Sequence, residues 1–482
     1  MTRQRWLSIP ILAILLELIA CAPTRIDDPA NLVSLPKDWS HAPGTRTVSD
    51  PAGLKEWWKG FQDPLLNKLV AQALSKNHDL KIAIARVREA KAMTTVAESA
   101  LYPSIGLFAS GGREKKIDRI ISVPNNQGIG LLAPTADIIT GGLDARWEID
   151  LFGTKHLEAE AANAQAQGAE ESLYAAQVGL LAQVAMNYLE LRGVQQRTSI
   201  LRDNINIQQE RLRALQAFNR AGLSNQRDVA RQQTLLHTAE ADLPALASTA
   251  STLIHRLAVL LGEPPENLKS RLADAGPLPV KTPDIPRLLP SGLLEQRPDL
   301  RLARTEVSTM AASLGAARAD LFPKLVLSAS GGFGSLAASG LPSLAESVYT
   351  LGSGLSAPLF NAGRIRAHIA AADARLEQAA ANYEKTFLLA LEDVENAFVA
   401  HAAALEQSNR LMQAETAAEK SYRLANALYR QGANDYLSVL DAQRSKLVVA
   451  DEHAKAETAT RISLVSLYRA FGGGWASEVA AQ

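Results

Sequence analysis

The chain has one cysteine, Cys21, among 482 residues. A lone thiol cannot build a disulfide framework or a multi-cysteine metal centre. Aromatic residues are scarce, at 5%, which argues against a globular core filled by large rings. Neither sign of charge is in excess: 50 Lys+Arg balance 50 Asp+Glu. That balance excludes a strongly basic surface for nucleic acid, while a local patch of one sign stays open. The eight histidines (41, 78, 156, 237, 255, 368, 401 and 453) form no metal-ligand pair at useful helical spacing. There is no GxSxG elbow and no P-loop, and the glycine pairs 111–112 and 331–332 read as strand ends, not as phosphate-binding helix starts. No catalytic centre, metal site or cofactor is expected.

Proline is absent where its absence counts most. Two alanine-rich stretches, Thr154–Ala221 and Arg364–Gln431, run for 68 residues each without it. Each follows a Leu-Phe pair (Leu151-Phe152, Leu359-Phe360) and ends at a basic-x-Gly step, Arg220-Ala221-Gly222 and Arg430-Gln431-Gly432. At 1.5 Å per residue each helix would span roughly 100 Å, far beyond the needs of an ordinary domain. A tube or strut across a gap is the implied object.

Leu173, Leu180, Val184, Leu191, Val194, Leu201, Ile205, Leu212 and Leu215 follow three- and four-residue steps with a few skipped, which is coiled-coil spacing. The second stretch holds 19 alanines, so neighbours can approach it closely on more than one side. Return helices are expected over Leu223–Leu261 and Ala433–Phe471, with Pro244 kinking the first or breaking one of its hydrogen bonds. Two readings fit: a solvated antiparallel coiled coil, or a cylinder wall in which every helix has neighbours on both flanks and water inside and out.

The chain is a duplication. Leu101–Gly112 aligns with Leu321–Gly332 at an offset of 220, both ending Ala-Ser-Gly-Gly. Farther on, Gly222 and Val229 match Gly432 and Val439 at an offset of 210. The order of elements is the same in both copies: helix, strand, loop, strand, very long helix, glycine turn, long helix. A linker with five prolines, Gly276–Pro290, separates them. In Leu143–Leu151 the odd positions are apolar and the even ones, Asp144, Arg146, Glu148 and Asp150, are charged, which predicts a two-faced strand. Weaker alternation marks Ile105–Ser110, Leu325–Phe333 and Tyr349–Leu359, joined in two hairpins by loops over Gly111–Thr140 and Ser335–Ser347. Such strands suit either a half-buried soluble sheet or a lipid-out, lumen-in barrel. Four strands cannot close a barrel, and open edges are not viable in lipid. Two chains would pool about eight strands and nearly fill the interior, whereas three would pool about twelve and leave a pore.

The N-terminus reads as a secretory signal, with Arg3 and Arg5 before an apolar run, Trp6–Leu16, too short to span a membrane. It leads into Leu18-Ile19-Ala20-Cys21, which resembles a bacterial lipobox. Acylation of Cys21 would account for the single thiol. Ala22 after it fits delivery to the outer membrane by the same resemblance.

Several further signatures occur in order: Glu56–Leu65 (EWWKGFQDPL), Asn77-His-Asp-Leu80, Trp147–Gly153 (WEIDLFG), Leu261–Pro265 (LGEPP), Gln296–Arg301 (QRPDLR), Gly315–Pro323 and Pro358–Gly363 (PLFNAG). With the duplication, they make the chain resemble the TolC-like outer-membrane factors, and most of all the NodT-type lipoproteins that serve resistance-nodulation-division efflux pumps. The likeness runs from Cys21 to about Gly473. It implies an α+β membrane protein in the cell outer membrane, projecting into the periplasm. Each chain would give four strands to a trimeric twelve-stranded barrel and very long helices to a periplasmic α-helical barrel. It further implies a homotrimer, contact with outer-membrane lipid, and a periplasmic adaptor and inner-membrane pump as partners. The channel would be a passive conduit for small molecules such as drugs.

In this scheme 1–20 is the signal peptide, 21–62 a lipid-anchored extended segment, 63–280 and 281–473 the two repeats, and 474–482 a tail. The family's gate lies at the glycine-turn tips. Asp441 matches an aspartate that rings the tunnel entrance, and Asp228 and Tyr429 match a hydrogen-bonded pair that holds the entrance coils closed. Arg227 and Asn434 do not match the accompanying link, and Ser438 stands where some relatives carry a second acid. Tyr436 and Leu437 could add an apolar constriction. The plain alternative for both aspartates is solvation at a helix start, where the dipole favours acids. Rival functions are a non-conducting coiled-coil tether and, within the channel class, heavy-metal cation efflux or type I protein secretion. The five methionines are scattered rather than clustered, which disfavours copper or silver export.

Overall fold

The computed structural model describes residues 36, 38–41, 52–115, 135–222, 224–274, 276–285, 289–338 and 344–475. The signal segment 1–20, Cys21 and most of the tail, 476–482, lie outside the described residues.

In chain order the main elements are α1 (Pro64–Lys76), α2 (His78–Ser99), β1 (Ser104–Lys115), β2 (Thr135–Ile149), α3 (Thr154–Arg220), α4 (Gln226–Leu260) and α5 (Pro265–Leu272). They are followed by α6 (Pro298–Ala319), β3 (Lys324–Ala338), β4 (Leu344–Ser356), α7 (Arg364–Arg430) and α8 (Tyr436–Ala470). The duplicated order expected from the sequence is present. Two compact units emerge: one takes Glu89–Ala166 and Thr305–Ala381, the other Pro29–Arg88, Gln167–Arg304 and Asn382–Gln482. Each unit draws on both repeats.

The first unit carries a four-stranded antiparallel sheet in the order β1-β2-β3-β4. The strands are longer than alternation alone indicates. The glycine pairs expected to end them lie inside: Gly111 and Gly112 pair with Ile139 and Ile138, and Gly331 and Gly332 with Leu143 and Gly142. A glycine shows no side chain to either face, so periodicity fades while backbone pairing continues. The connections therefore shrink to residues 116–134 and 339–343, both outside the described residues. Conversely, Leu151 and Leu359 fall beyond the strand ends.

Register sorts the side chains by face. Ile105, Leu107, Leu143, Trp147, Leu325, Leu327, Phe333, Tyr349, Leu351 and Leu355 share one side; Ser104, Ser110, Asp144, Arg146, Glu148, Ser328, Ser330 and Thr350 share the other. On the polar side Ser110 and Thr140 hydroxyls lie 2.7 Å apart. Among the described side chains, Phe108, Val326 and Val348 are the apolar exceptions there. The apolar side is bare in the protomer, with Leu107 83%, Leu351 85% and Tyr349 88% exposed. The outer edges of β1 and β4 have no partner strand among the described residues. An uncovered apolar face with a polar reverse is the pattern of a strand set in lipid.

The second unit is helical. Its core joins Trp57, Phe61, Leu66 and Leu69 to Leu181, Tyr188 and Leu189 of α3, Leu257 of α4, Phe387 and Val394 of α7, and Tyr468 and Phe471 at the end of α8. Trp57 stacks on Tyr468 at 5.3 Å. The coiled-coil positions behave as the spacing predicts: Leu173, Leu180, Val184, Leu191, Val194, Leu201, Ile205 and Leu215 are all buried. Leu201 and Ile205 pack on Leu236 and Ala239 of α4.

The long helices are 67 residues each. The return helices start three residues later than expected, because Asn225 and Asp435 act as N-caps, accepting from the backbone N–H of Asp228 and Ser438. Helix α4 continues through Pro244, which lies on its exposed side. The carbonyl deprived of its donor can there be met by water.

The Gln296–Arg301 signature acquires a physical reason. Arg297, buried at the head of α6, donates twice to Asp299 (3.0 and 2.7 Å), once to Asp393 of α7 (3.1 Å), and to the Ala470 carbonyl at the end of α8 (2.8 Å). Burial alone would weaken its charge, but the two carboxylates outweigh it and hold the guanidinium pKa above its ordinary value. Arg301 pairs with Glu171 of α3 and lies over the Trp475 ring.

His401 of α7 is buried, with Nδ1 2.9 Å from Ser463 Oγ of α8. Burial holds its pKa below the ordinary 6.5. As pH falls the unfolded chain takes the proton first, so stability is complete above that value and is lost as pH drops through the folded pKa. Melting in detergent between about pH 7.5 and about pH 5 should show a smaller acid loss for His401→Gln than for the parent. An equal loss in both would remove His401 as the cause.

Candidate functional site: the helix tips

Both helix pairs of the second unit end in the same way. Gly222 and Gly432 take left-handed backbone (φ 74° and 72°), and each donates its N–H back to the preceding turn, to Asn219 and Tyr429. Only glycine takes this conformation without cost, which is why a helix stops at each.

Around these turns lies a polar network. The Tyr436 hydroxyl at the start of α8 donates to Gln232 Oε1 of α4 (3.0 Å), and Gln232 Nε2 donates to the Gln208 carbonyl of α3 (3.2 Å). Arg211 of α3 donates to Gln443 of α8 and to the Tyr422 hydroxyl of α7, and also lies over the Tyr422 ring. Gln443 Nε2 in turn donates to Asn204 Oδ1 (3.2 Å). Higher up, Arg197 of α3 pairs with Asp451 of α8 at 2.7 Å. Burial raises the Tyr436 phenol pKa, opposed by the nearby Arg211 charge and reinforced by Tyr429 and Asp228. The phenol therefore stays a donor at neutral pH.

The sequence-expected residues divide. Tyr429 and Tyr436 meet, their rings 5.4 Å apart. Asp228 is half-buried; its backbone N–H is taken by the Asn225 cap, and among the described residues no hydrogen bond joins its carboxylate to Tyr429. The expected Asp228–Tyr429 hydrogen bond is thus not made within this protomer, and the Tyr436–Gln232 bond joins α4 to α8 beside it. Leu437 is 45% exposed, and Asp441 is exposed with no ion pair among the described residues. Asn434 and Asp435 both accept from the Ser438 hydroxyl.

Sequence reasoning missed Arg211, Gln208, Gln232 and Asn204. A signal did exist: Gln208 occupies one of the coiled-coil positions skipped by the apolar pattern, between Ile205 and Leu212. A polar residue at such a position is buried only where a partner meets it.

The comparisons with known proteins bear on the whole chain. A family model described as "Outer membrane efflux protein" matches it twice, over residues 69–263 and 289–473. The chain belongs to this outer membrane efflux protein family. The pyoverdine export outer membrane protein OpmQ of Pseudomonas aeruginosa is 30% identical over 98% of both chains. The outer membrane protein OprJ of the same species is 29% identical over 98% of this chain and 97% of its own. Among solved structures, the outer-membrane channel OprN superposes with a TM-score of 0.79 at 34% identity, covering 95% of this chain and 97% of that one. The outer membrane protein VceC of Vibrio cholerae gives 0.76 at 25%, covering 87% and 99%.

This efflux family member is therefore an outer-membrane channel component of an efflux system, with an α+β fold of four barrel strands and very long helices. Its relatives are channels rather than enzymes.

Proposed function

We propose that three copies of this chain pool their strands into one twelve-stranded pore and their helices into one periplasmic tunnel, docked on an adaptor and an inner-membrane resistance-nodulation-division pump. The observation that carries this reading is the sheet: four strands, both edges unpaired, one face apolar and bare, the other polar. An unpaired edge in hydrocarbon costs several kcal/mol per backbone group, so the edges must find strands from other copies. The helices support the same reading. Helix α4 is apolar enough over 18 residues to enter a membrane, yet only 22% of that window is buried in the protomer. Leu388, Val399, Met412 and Leu424 of α7 are likewise exposed. Neighbouring copies would cover both.

The conduit is passive and carries small molecules handed over by the pump. OpmQ is named for pyoverdine export, and the toluene efflux protein TtgI of Pseudomonas putida for a solvent. Both names fit the small-molecule branch. Cys21 would carry the lipid anchor, and loss of palmitate labelling in Cys21→Ser tests that.

Purified protein in planar bilayers should form discrete cation-preferring pores of trimer mass, and deleting the gene should raise susceptibility to exported compounds. A protein that forms no pores would favour the coiled-coil tether over the channel. At the tips, three Asp441 carboxylates around one axis would favour cations. Asp441→Ala should raise single-channel conductance and weaken cation preference, whereas unchanged channels would discard Asp441 as a constriction.

A further inference from the structure

On the polar face of the sheet, register sets the side chains in rows across the four strands. One row runs Phe108, Gly142, Gly332, Val348 and holds no polar side chain. The rows on either side of it are polar: Ser110 with Thr140 on one, Asp144 with Ser330 and Thr350 on the other. The two middle positions are bare for a backbone reason. A Cβ on Gly142 would lie 2.6 Å from Gly332 Cα, and one on Gly332 would lie 2.7 Å from Gly142 Cα, so neither accepts a side chain. The row is therefore a shallow slot, a backbone floor between Phe108, 37% exposed, and the exposed Val348. Its ends are three strand spacings apart, about 14 Å.

A bare carboxylate stands beside the slot. Asp144 is paired with Gly106, and its Oδ1 lies 2.8 Å from where a Gly106 Cβ would be, so the carboxylate leans across β1. That sets it diagonal to Phe108 on the same face, at about 7–8 Å. Asp144 is exposed, and among the described residues it makes no hydrogen bond or ion pair. Arg146, the only cation of β2, lies two residues farther from the slot. A ring opposite a glycine can serve simply to shield its backbone. Shielding does not account for the bare carboxylate at its side.

We propose that each copy carries a transit site for a small aromatic cation, with its aryl group on the Gly142–Gly332 floor against the Phe108 ring and its positive centre towards Asp144. This rests on the three-chain reading above, which makes the polar face the lumen, and it names the chemical class that the conduit retains. The Phe108 ring attracts a cation through its quadrupole. Asp144 supplies the complementary charge, while the apolar row takes the aryl group. Both contacts are exposed and each is weak, as passage requires, because a tight site would plug the pore.

Block of single channels in planar bilayers tests the site with defined probes. In full-length protein, benzyltrimethylammonium should reduce the current at concentrations about two- to fivefold lower than tetramethylammonium, which lacks the ring. Benzenesulfonate, a ring of opposite charge, should not block. Phe108→Ala should bring the two cations level, and Phe108→Tyr should keep them apart. Asp144→Asn should weaken block by both cations, and unchanged block there overturns the part given to the carboxylate. Equal block of the parent by the two cations overturns the site without any variant. A preference that survives Phe108→Ala but vanishes in Asp441→Ala belongs to the helix tips and overturns it as well. If Phe108→Ala forms no channels, Phe108→Leu keeps an apolar side chain without a ring: loss of the preference supports the site, and its retention overturns it. A parent protein that forms no pores removes the three-chain reading and the site together, whereas pores without the preference remove the site alone.

Discussion

Leu351→Arg will strip the channel from the outer membrane, while Thr350→Arg, one residue earlier on β4, will be carried there nearly as well as the parent. The two positions are adjacent and both exposed in the protomer. Register places Leu351 on the apolar face and Thr350 on the polar one. An arginine facing lipid at mid-depth costs about 2–4 kcal/mol, and falls towards zero near the interface. Three copies per pore multiply that to roughly 6–12 kcal/mol, enough to decide insertion against degradation. On the lumen side the same side chain meets water and changes conductance instead. Heat-modifiable trimer in fractionated membranes is the measurement. Equal loss in both variants would mean that the faces are wrongly assigned, and equal tolerance would mean that the face does not meet lipid.

The second large effect concerns Arg297. Arg297→Met keeps the stem but leaves the Ala470 carbonyl without its donor and two carboxylates without their cation. Losing one partner of a buried ionic cluster costs about 3–5 kcal/mol. The lower end applies here, because Asp299 and Asp393 are themselves 42% and 59% exposed and water can reach them. Arg297→Lys should recover less than half of the loss, since an ammonium cannot donate in a fork to Asp299 while reaching Asp393 and Ala470. The urea midpoint of the detergent-solubilised protein reads this out. A midpoint unchanged in Arg297→Met would show that the signature has no structural role. The conductance of the surviving channels should be unaltered, which separates this residue from Asp441.

The sequence motif and the structural reason meet differently at the two ends of the chain's helices. At the head of α6 the Gln296–Arg301 run was visible as a signature, but its purpose was not. Its partners Asp393 and Ala470 are 96 and 173 positions away, and no local pattern announces them. At the tips, the glycine turns, the tyrosines and Asp441 were legible, because turns and motifs are local. The Tyr436–Gln232–Gln208 chain and the Arg211–Gln443–Asn204 contacts were not. Each depends on which coil lies beside which, and that is settled by packing.

By itself the sequence determined the duplication, the two long helices to within one residue of their ends, the apolar seam along α3 and the existence of four two-faced strands. All of these follow from side-chain period, glycine and proline placement, or repetition along one chain. Only the tertiary structure decided the strand order, the true strand lengths through the glycine pairs, the partners of Arg297 and the absence of a bond between Asp228 and Tyr429. Register and ion pairing join residues far apart in the chain, and their energies depend on distances that no spacing in the sequence encodes.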